Sequence, residues 1–161
     1  MKKIIAVAFA LCVAPLAYAQ DGASCATAYS LAPGTVNVDT TTATGWINNF
    51  GPLVSPANDV AYTFTTGSDL PTGTITPSAG SFLFGIYLLN SCNAGAGPTP
   101  IATSSSNGEV IDLAAVPGIS PNTQYWVVVT GVPAGGPGAN GTVTLEITPT
   151  LPVTLQSFEI L

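Results

Sequence analysis

The chain has 161 residues, a length that fits one domain of ordinary size, with eight acidic side chains, two basic side chains, no histidine and a formal net charge of −6. Both basic residues, Lys2 and Lys3, stand near the N-terminus, so the rest of the chain has no Lys, Arg or His. We therefore expect no nucleic-acid partner, no attraction to anionic lipid headgroups, no Ser-His-Asp or Cys-His catalysis and no ordinary zinc site.

Residues 1–19 have the pattern of a secretory signal peptide. Lys2 and Lys3 form a basic start, Ile4–Leu16 is apolar but too short to span a bilayer comfortably, and Ala17–Ala19 is an A-x-A cleavage site. We predict cleavage after Ala19 and a secreted protein, whether extracellular, at the cell surface or periplasmic. Loss of the two lysines changes the formal side-chain charge from −6 to −8. No later segment is long and apolar enough to insert into a membrane.

Two cysteines, Cys25 and Cys92, remain after the predicted cleavage, because Cys12 lies within the signal peptide. An even pair of cysteines in an exported protein is typical of a disulfide bond. Closing a loop of roughly 70 residues stabilises a protein by about 4 kcal/mol in the chain-entropy model. We therefore predict a disulfide between Cys25 and Cys92.

The predicted mature chain begins with a flap and one strand. Gln20–Leu31, whose Ala and Ser content allows a helical turn, is predicted to be a flap held by Cys25. Thr35–Thr40 alternates between apolar and polar residues and is predicted to be a strand. Thr41–Asn58 is rich in Thr, Asn, Gly and Pro, which predicts a loop with room for one short strand around Gly45–Ile47.

The middle of the chain contains several short strand patterns. Asp59–Thr65 alternates cleanly, as a half-buried strand does, and Gly73–Pro77 is a further short strand. Phe82–Leu89 is almost continuously apolar, which predicts a central strand. Ile101–Ser104 and Glu109–Leu113 are predicted to pair with each other around a polar Asn-Gly turn.

Asn122–Gly131 is the densest run of β-branched and aromatic residues in the protein. It lies between a Pro/Gly turn signal and a closing glycine, which predicts a strand buried on at least one face. Because side chains alternate along a strand, one face would carry Tyr125, Val127 and Val129, and the other would carry Trp126, Val128 and Thr130.

Thr142–Thr148 also alternates and is the last predicted strand of the body. Beyond the signal peptide no segment shows a sustained 3.6-residue period, and short strands recur with Gly/Pro turns between them. We therefore predict an all-β fold, an antiparallel jelly-roll-type β-sandwich of about eight strands, over residues 20–149. An apolar tail or strand follows over residues 150–161.

The order of these strand motifs resembles a bacterial pre-peptidase C-terminal (PPC-like) domain, here as a stand-alone secreted module. The two cysteines resemble those of a disulfide-bearing branch of that family. The resemblance implies a non-catalytic accessory role, in substrate or surface binding or in secretion. The motifs that carry it are D-V-A-Y-T-F-T (Asp59–Thr65), L-F-G-I-Y-L-L (Leu83–Leu89), E-V-I-D-L (Glu109–Leu113), P-N-T-Q-Y-W-V-V-V-T-G (Pro121–Gly131) and G-T-V-T-L-E-I (Gly141–Ile147).

Aromatic and apolar side chains outside the predicted core are the candidate ligand-binding residues. Trp46 and Phe50 lie in the predicted loop, and Trp126 and Val128 lie on the face opposite the core residues of their strand. An aromatic platform of this kind binds a polysaccharide or a partner protein. The alternative is that the Thr41–Asn58 loop or the tail covers Trp126, which would make these residues structural.

Acidic residues are the candidates for calcium binding, because hard cations prefer carboxylate and carbonyl oxygen. They are scattered and form no D-x-D-x-D loop, so we expect solvated or turn-capping carboxylates and no cofactor. PPC-like domains that bind calcium use acidic clusters, and the resemblance therefore transfers no metal ligand. A carboxylate-based hydrolase would need two of these groups to converge. The candidates are Asp39, Asp59, Asp69, Asp112 and Glu109.

The tail alternates Val153, Leu155 and Ser157 against Thr154, Gln156 and Phe158. Such a segment adds an edge strand to its own sheet or to the sheet of a neighbouring molecule. The sequence therefore favours a secreted, non-catalytic accessory or surface binding protein with a polysaccharide or protein ligand. The alternative is an extracellular structural subunit that self-associates through its C-terminal strand.

Overall fold

Two β-sheets pack face to face in the structure, which is a computed structural model. The predicted all-β sandwich is confirmed, and the described residues contain no helix. These residues are 22, 24–43, 49–50, 53–54, 58–69, 72–92, 99–105, 108–131 and 140–148.

The described part of the chain contains eleven strands, several of them only two residues long. In chain order the strands are Tyr29–Ser30 (β1), Gly34–Asp39 (β2), Asn49–Phe50 (β3), Leu53–Val54 (β4), Asp59–Thr65 (β5), Thr74–Gly80 (β6), Phe84–Leu89 (β7), Ala102–Ser104 (β8), Ile111–Asp112 (β9), Gln124–Gly131 (β10) and Thr142–Ile147 (β11).

Nine of these strands form the sandwich. One sheet has the order β1-β5-β10-β7-β8 and the facing sheet has the order β2-β11-β6-β9, while β3 and β4 pair only with each other. All described pairings are antiparallel except that of β1 with β5, which is parallel. From β5 to β7, and again from β8 to β11, consecutive strands lie in opposite sheets, so most partners are distant in sequence.

The central strand of the larger sheet is β10, which pairs along its length with β5 and β7. Its predicted inward residues, Tyr125, Val127 and Val129, are each at most 1% exposed and belong to the core between the two sheets. Burial of each such side chain contributes roughly 1.5–3 kcal/mol. The prediction that this alternation marks a core strand is confirmed.

The opposite face of the larger sheet carries a second, smaller apolar cluster. It contains Ala61, Tyr87, Leu89 and Val128, together with Ala28 from the N-terminal flap. The predicted disulfide between Cys25 and Cys92 is present and brings the two Cα atoms to 5.7 Å, and Cys92 packs against the same cluster. Among the described residues, the segment that packs on this face is therefore the flap, while most of the Thr41–Asn58 loop and the whole tail, the alternative cover, lie outside the described residues.

One predicted pairing is wrong. Ile101–Ser104 and Glu109–Leu113 were expected to form a hairpin, but β8 pairs with β7 in one sheet and β9 pairs with β6 in the other. The reason lies in the connection, where the Gly108 amide donates to the Pro77 carbonyl 2.6 Å away. That bond carries the chain to the edge of β6 before β9 begins.

Other differences concern short elements. β1 and the β3–β4 pair were not predicted, because two-residue strands are too short to show an alternating pattern. The possible strand around Gly45–Ile47 and the tail, residues 150–161, lie outside the described residues. No helix in the described part of the chain is long and apolar enough to cross a membrane.

We expect removal of the disulfide to destabilise the sandwich. The Cys25→Ala/Cys92→Ala variant should lose about 4 kcal/mol of unfolding free energy, because the 67-residue separation no longer restricts the unfolded chain. Denaturant titration of the oxidised wild type and the double variant measures this loss. Reduction of the wild type is the matched control and should give a similar decrease, and equal denaturation midpoints in all three samples would contradict the expectation.

Candidate functional site

The predicted ligand-binding residues have different positions. Trp46 lies outside the described residues, and Phe50 belongs to β3 but its side chain is not among those described. Trp126 is partly buried against the second cluster and its indole N–H, which is buried, has no hydrogen-bond partner among the described residues. Val128 is 0% exposed, so it has no surface with which to contact a ligand.

Three of the predicted carboxylate candidates accept hydrogen bonds from backbone amides close to them in the sequence. Asp39 accepts from the Thr41 amide at 2.8 Å and the Thr41 hydroxyl at 2.7 Å, Asp112 accepts from an amide two residues on, and Glu109 accepts from the Ser105 amide at 2.7 Å. Within the described ranges, no group of three or more His, Cys, Asp or Glu side chains is placed to hold a metal ion.

Asp59 differs from these surface carboxylates. It is the first residue of β5, is 0% exposed and lies opposite Thr130 of β10. Asp59 also affects Tyr87. Burial raises the pKa of the Tyr87 hydroxyl, and the negative charge of Asp59 raises this pKa further. Asp69, the remaining calcium candidate, is exposed.

A groove of about 430 Å³ opens at the side of the sandwich where the two edge strands β1 and β2 lie. We call it the tyrosine groove, because Tyr29 and Tyr62 contribute to its wall. Its volume falls in the range of small-molecule sites, roughly 300–1,000 Å³. The lining residues are Tyr29, Ser30, Asn37, Asp39, Thr42, Ala43, Val60 and Tyr62.

The parallel pairing of β1 with β5 positions the two aromatic rings, because it places Tyr29 directly beside Tyr62. The ring centroids are 5.5 Å apart and the planes are inclined by 41°. Tyr62 is buried, whereas Tyr29 is 37% exposed. The arrangement is one fixed ring that supports one accessible ring.

Gly22 permits the Tyr29 ring to lie against the flap. A Cβ atom at this position would come within 2.7 Å of Cδ2 of Tyr29, and the φ angle of +66° lies in the left-handed region that favours glycine. Hydrogen bonds fix this residue, since its amide donates to the Thr27 carbonyl at 2.9 Å and its carbonyl accepts from the Ala61 amide at 2.8 Å. The flap, tied by the disulfide, thereby supports the exposed ring.

The groove combines one negative charge with neutral hydroxyl and amide groups. The two hydrogen bonds from Thr41, side chain first, lower the pKa of Asp39, so this carboxylate is ionised at neutral pH. Burial, and secondly the proximity of Tyr29, raise the pKa of Tyr62 to about 12, so its hydroxyl stays protonated. None of the lining residues that the structure describes is basic.

A second, smaller cavity of about 200 Å³ lies between the two sheets, and we call it the end cleft. Leu31, Phe64 and Ile147, which pack against the core and are only partly buried, form part of its wall. Thr148, which directly follows β11, also lines it. The end cleft is therefore an apolar opening beside the point where the chain leaves the sandwich.

Sequence reasoning missed the tyrosine groove. Tyr62 was assigned by its alternation to one face of β5, where it indeed packs in the core, and Tyr29 was included in the flap without a role. Their contact depends on the parallel pairing of a two-residue strand, and no local pattern reports that pairing. A tyrosine close to a cysteine in a flap was the available signal, and it is a weak one.

Among solved structures, the chain is similar to the pre-peptidase C-terminal domain of a collagenase from Bacillus anthracis. The identity is 12%, the TM-score is 0.46, and the match covers 75% of this chain and 94% of that chain. No family model matches the chain, and no curated protein matches it.

We expect the protein to lose stability as the pH rises from about 10 to 12. Tyr62 has an ordinary pKa of 10.0 when unfolded and about 12 when folded, so the folded state favours the neutral phenol. Its contribution is complete below pH 10 and decreases as the pH rises toward 12. Because the chain has no lysine beyond Lys3, tyrosines are the side chains that titrate in this range.

Denaturant midpoints measured from pH 8 to 12 should show this decrease, and tyrosinate absorbance should follow the titration. The Tyr62→Phe variant should show a smaller decrease, with Tyr87 contributing the remainder in the same direction. If the variant and the wild type have superimposable profiles, Tyr62 is not the cause.

Proposed function

We propose that this chain is a secreted, non-catalytic accessory or surface binding protein that binds a neutral polysaccharide in the tyrosine groove. The observation that carries the proposal is the exposed ring of Tyr29, held against Tyr62 beside residues with polar side chains. An aromatic ring offers an apolar surface to the C–H face of a sugar. Hydroxyl, amide and carboxylate groups of the kind that line the groove bind sugar hydroxyls.

The chemistry of the groove favours binding over hydrolysis. Glycoside hydrolases use a pair of carboxyl groups, one of which stays protonated to act as the acid. The described lining of the groove includes one carboxyl group, Asp39, and its pKa is lowered, which is opposite to what a general acid requires. The chain has no histidine, and no other side chain among the described lining residues supplies a proton near neutral pH.

The charge of the protein favours a neutral ligand. No basic side chain occurs beyond Lys3, and the described lining of the groove contributes one negative charge at neutral pH. Polyuronates and sulfated glycans would meet repulsion without any compensating cation. A neutral glucan, xylan or mannan meets no such penalty.

We expect Tyr29→Ala to weaken polysaccharide binding. Loss of an exposed stacking ring should cost about 1–2 kcal/mol, which is a decrease in affinity of roughly 5- to 30-fold. Affinity electrophoresis against a panel of neutral and acidic polysaccharides, followed by calorimetry with the best ligand, measures the effect. The pH should stay near neutral so that Asp39 is ionised.

Two variants serve as controls for this experiment. Leu83→Ala removes a side chain that is 56% exposed and lies outside the groove, so it should leave the affinity unchanged. Tyr29→Phe keeps the ring and should retain most of the affinity if stacking dominates. Absence of binding to every neutral polysaccharide, stronger binding to acidic ones, or release of reducing sugar from the ligand would each contradict the proposal.

A further inference from the structure

We propose that the tail segment of the same chain binds in the end cleft, with Leu151 and Val153 facing the cavity. The tail, residues 150–161, lies outside the described residues, so the inference is drawn from its sequence and from the cleft. It does not depend on the polysaccharide proposal, because the end cleft and the tyrosine groove share no lining residue among those that the structure describes.

The exit of the chain from the sandwich is fixed at the wall of the cleft. The Thr148 amide donates to the Thr74 carbonyl at 3.1 Å, and the Thr148 hydroxyl accepts from the Thr74 amide at 2.9 Å. Pro149 follows, and it cannot donate a hydrogen bond to continue the β11 ladder. Thr148, the last described residue before the tail, therefore lies in the wall of the cavity.

The sequence of the tail matches a partly buried extended segment. Leu151, Val153 and Leu155 recur at every second position, and Pro152, Thr154 and Gln156 occupy the alternate face, up to Ser157 and Phe158, where the alternation ends. Such alternation is typical of a strand with one face against an apolar surface. Glu159 is the one charged side chain between residues 150 and 161, so the segment carries little that would favour full exposure to water.

The cleft suits this occupant in size and character. A cavity of about 150 Å³ lined by Leu, Ile and Phe binds benzene, so 200 Å³ has room for one or two aliphatic side chains. Ile75 and Leu113 lie in its wall, and the more exposed Leu31, Phe64 and Ile147 would lose solvent contact on occupancy.

A segment of the same chain is favoured over a second copy by proximity. A short tether gives an effective concentration in the millimolar range, which exceeds the concentration at which a secreted protein meets another copy. Thr148 is at the wall and Leu151 follows three residues later, so no loop needs to be closed. We therefore assign the cleft to the tail in cis.

The absence of Lys and Arg beyond Lys3 permits a direct test in the protein without residues 1–19. Gln156→Lys introduces its one trypsin site, on the outward face of the proposed segment. In this background, Ala32→Asp places a charge in the cleft wall at an exposed position, and Ala26→Asp places the same charge at an exposed position outside the cleft. Circular dichroism confirms that each variant is folded.

We expect trypsin to cut the Gln156→Lys protein, the parent of the other variants, slowly. Ala32→Asp should accelerate cleavage at least about tenfold, because the rate of cleavage follows the fraction of molecules in which the tail is released. Ala26→Asp should leave the rate unchanged. Within the tail, Val153→Asp should accelerate cleavage and Thr154→Asp should not, since only the former faces the cavity. The rate should not depend on protein concentration, and light scattering should give the mass of a monomer.

Three results would overturn the proposal. Cleavage of the parent at the rate of the isolated peptide 149–161 with the same substitution would show that the tail is not bound. Equal acceleration by Ala32→Asp and Ala26→Asp would show that the cleft is not the site. Protection that is lost on dilution, together with a dimeric mass, would assign the cleft to the tail of a second copy.

Discussion

The burial of β10 on both faces is the constraint on which the rest of the sandwich depends. Its odd-numbered side chains, Tyr125, Val127 and Val129, fill the space between the sheets, while Val128 is equally buried on the other face. A strand that is buried on both faces needs a cover on each. The second sheet supplies one cover, and the flap that carries Ala28 contributes to the other.

That requirement gives the disulfide its structural role. The flap is held by the pairing of β1 with β5 and by the Ala61 amide, which donates to the Gly22 carbonyl, and the bond from Cys25 to Cys92 adds a covalent link. The same flap contains Gly22, whose left-handed conformation leaves room for the Tyr29 ring. The cover of the central strand and the support of the tyrosine groove are therefore one element, so damage to the bond should affect both.

The lack of basic side chains shapes the way this protein accommodates its acidic ones. No basic side chain follows Lys3, so this part of the chain offers its carboxylates no side-chain partner for an ion pair. Asp39 and Asp112 instead accept hydrogen bonds from backbone amides of their own turns. Such bonds satisfy the charge locally and keep it at the surface. The result, over the part of the chain that the structure describes, is a surface whose charged side chains all carry the same sign.

The sequence was sufficient for properties that depend on alternation and insufficient for those that depend on distant pairing. The inward set of β10, the sandwich and the Cys25–Cys92 bond were all predicted, because alternating side chains and an even cysteine pair report them directly. Alternation cannot say which sheet a strand joins, and this is why the β8–β9 hairpin was wrong. The tyrosine groove was missed for the same reason: it exists only because β1 lies parallel to a strand far along the chain. An edge strand of two residues leaves no periodic signal, yet this strand brings the exposed Tyr29 beside the buried Tyr62. The strongest candidate site therefore depends on the part of the sequence with the weakest pattern.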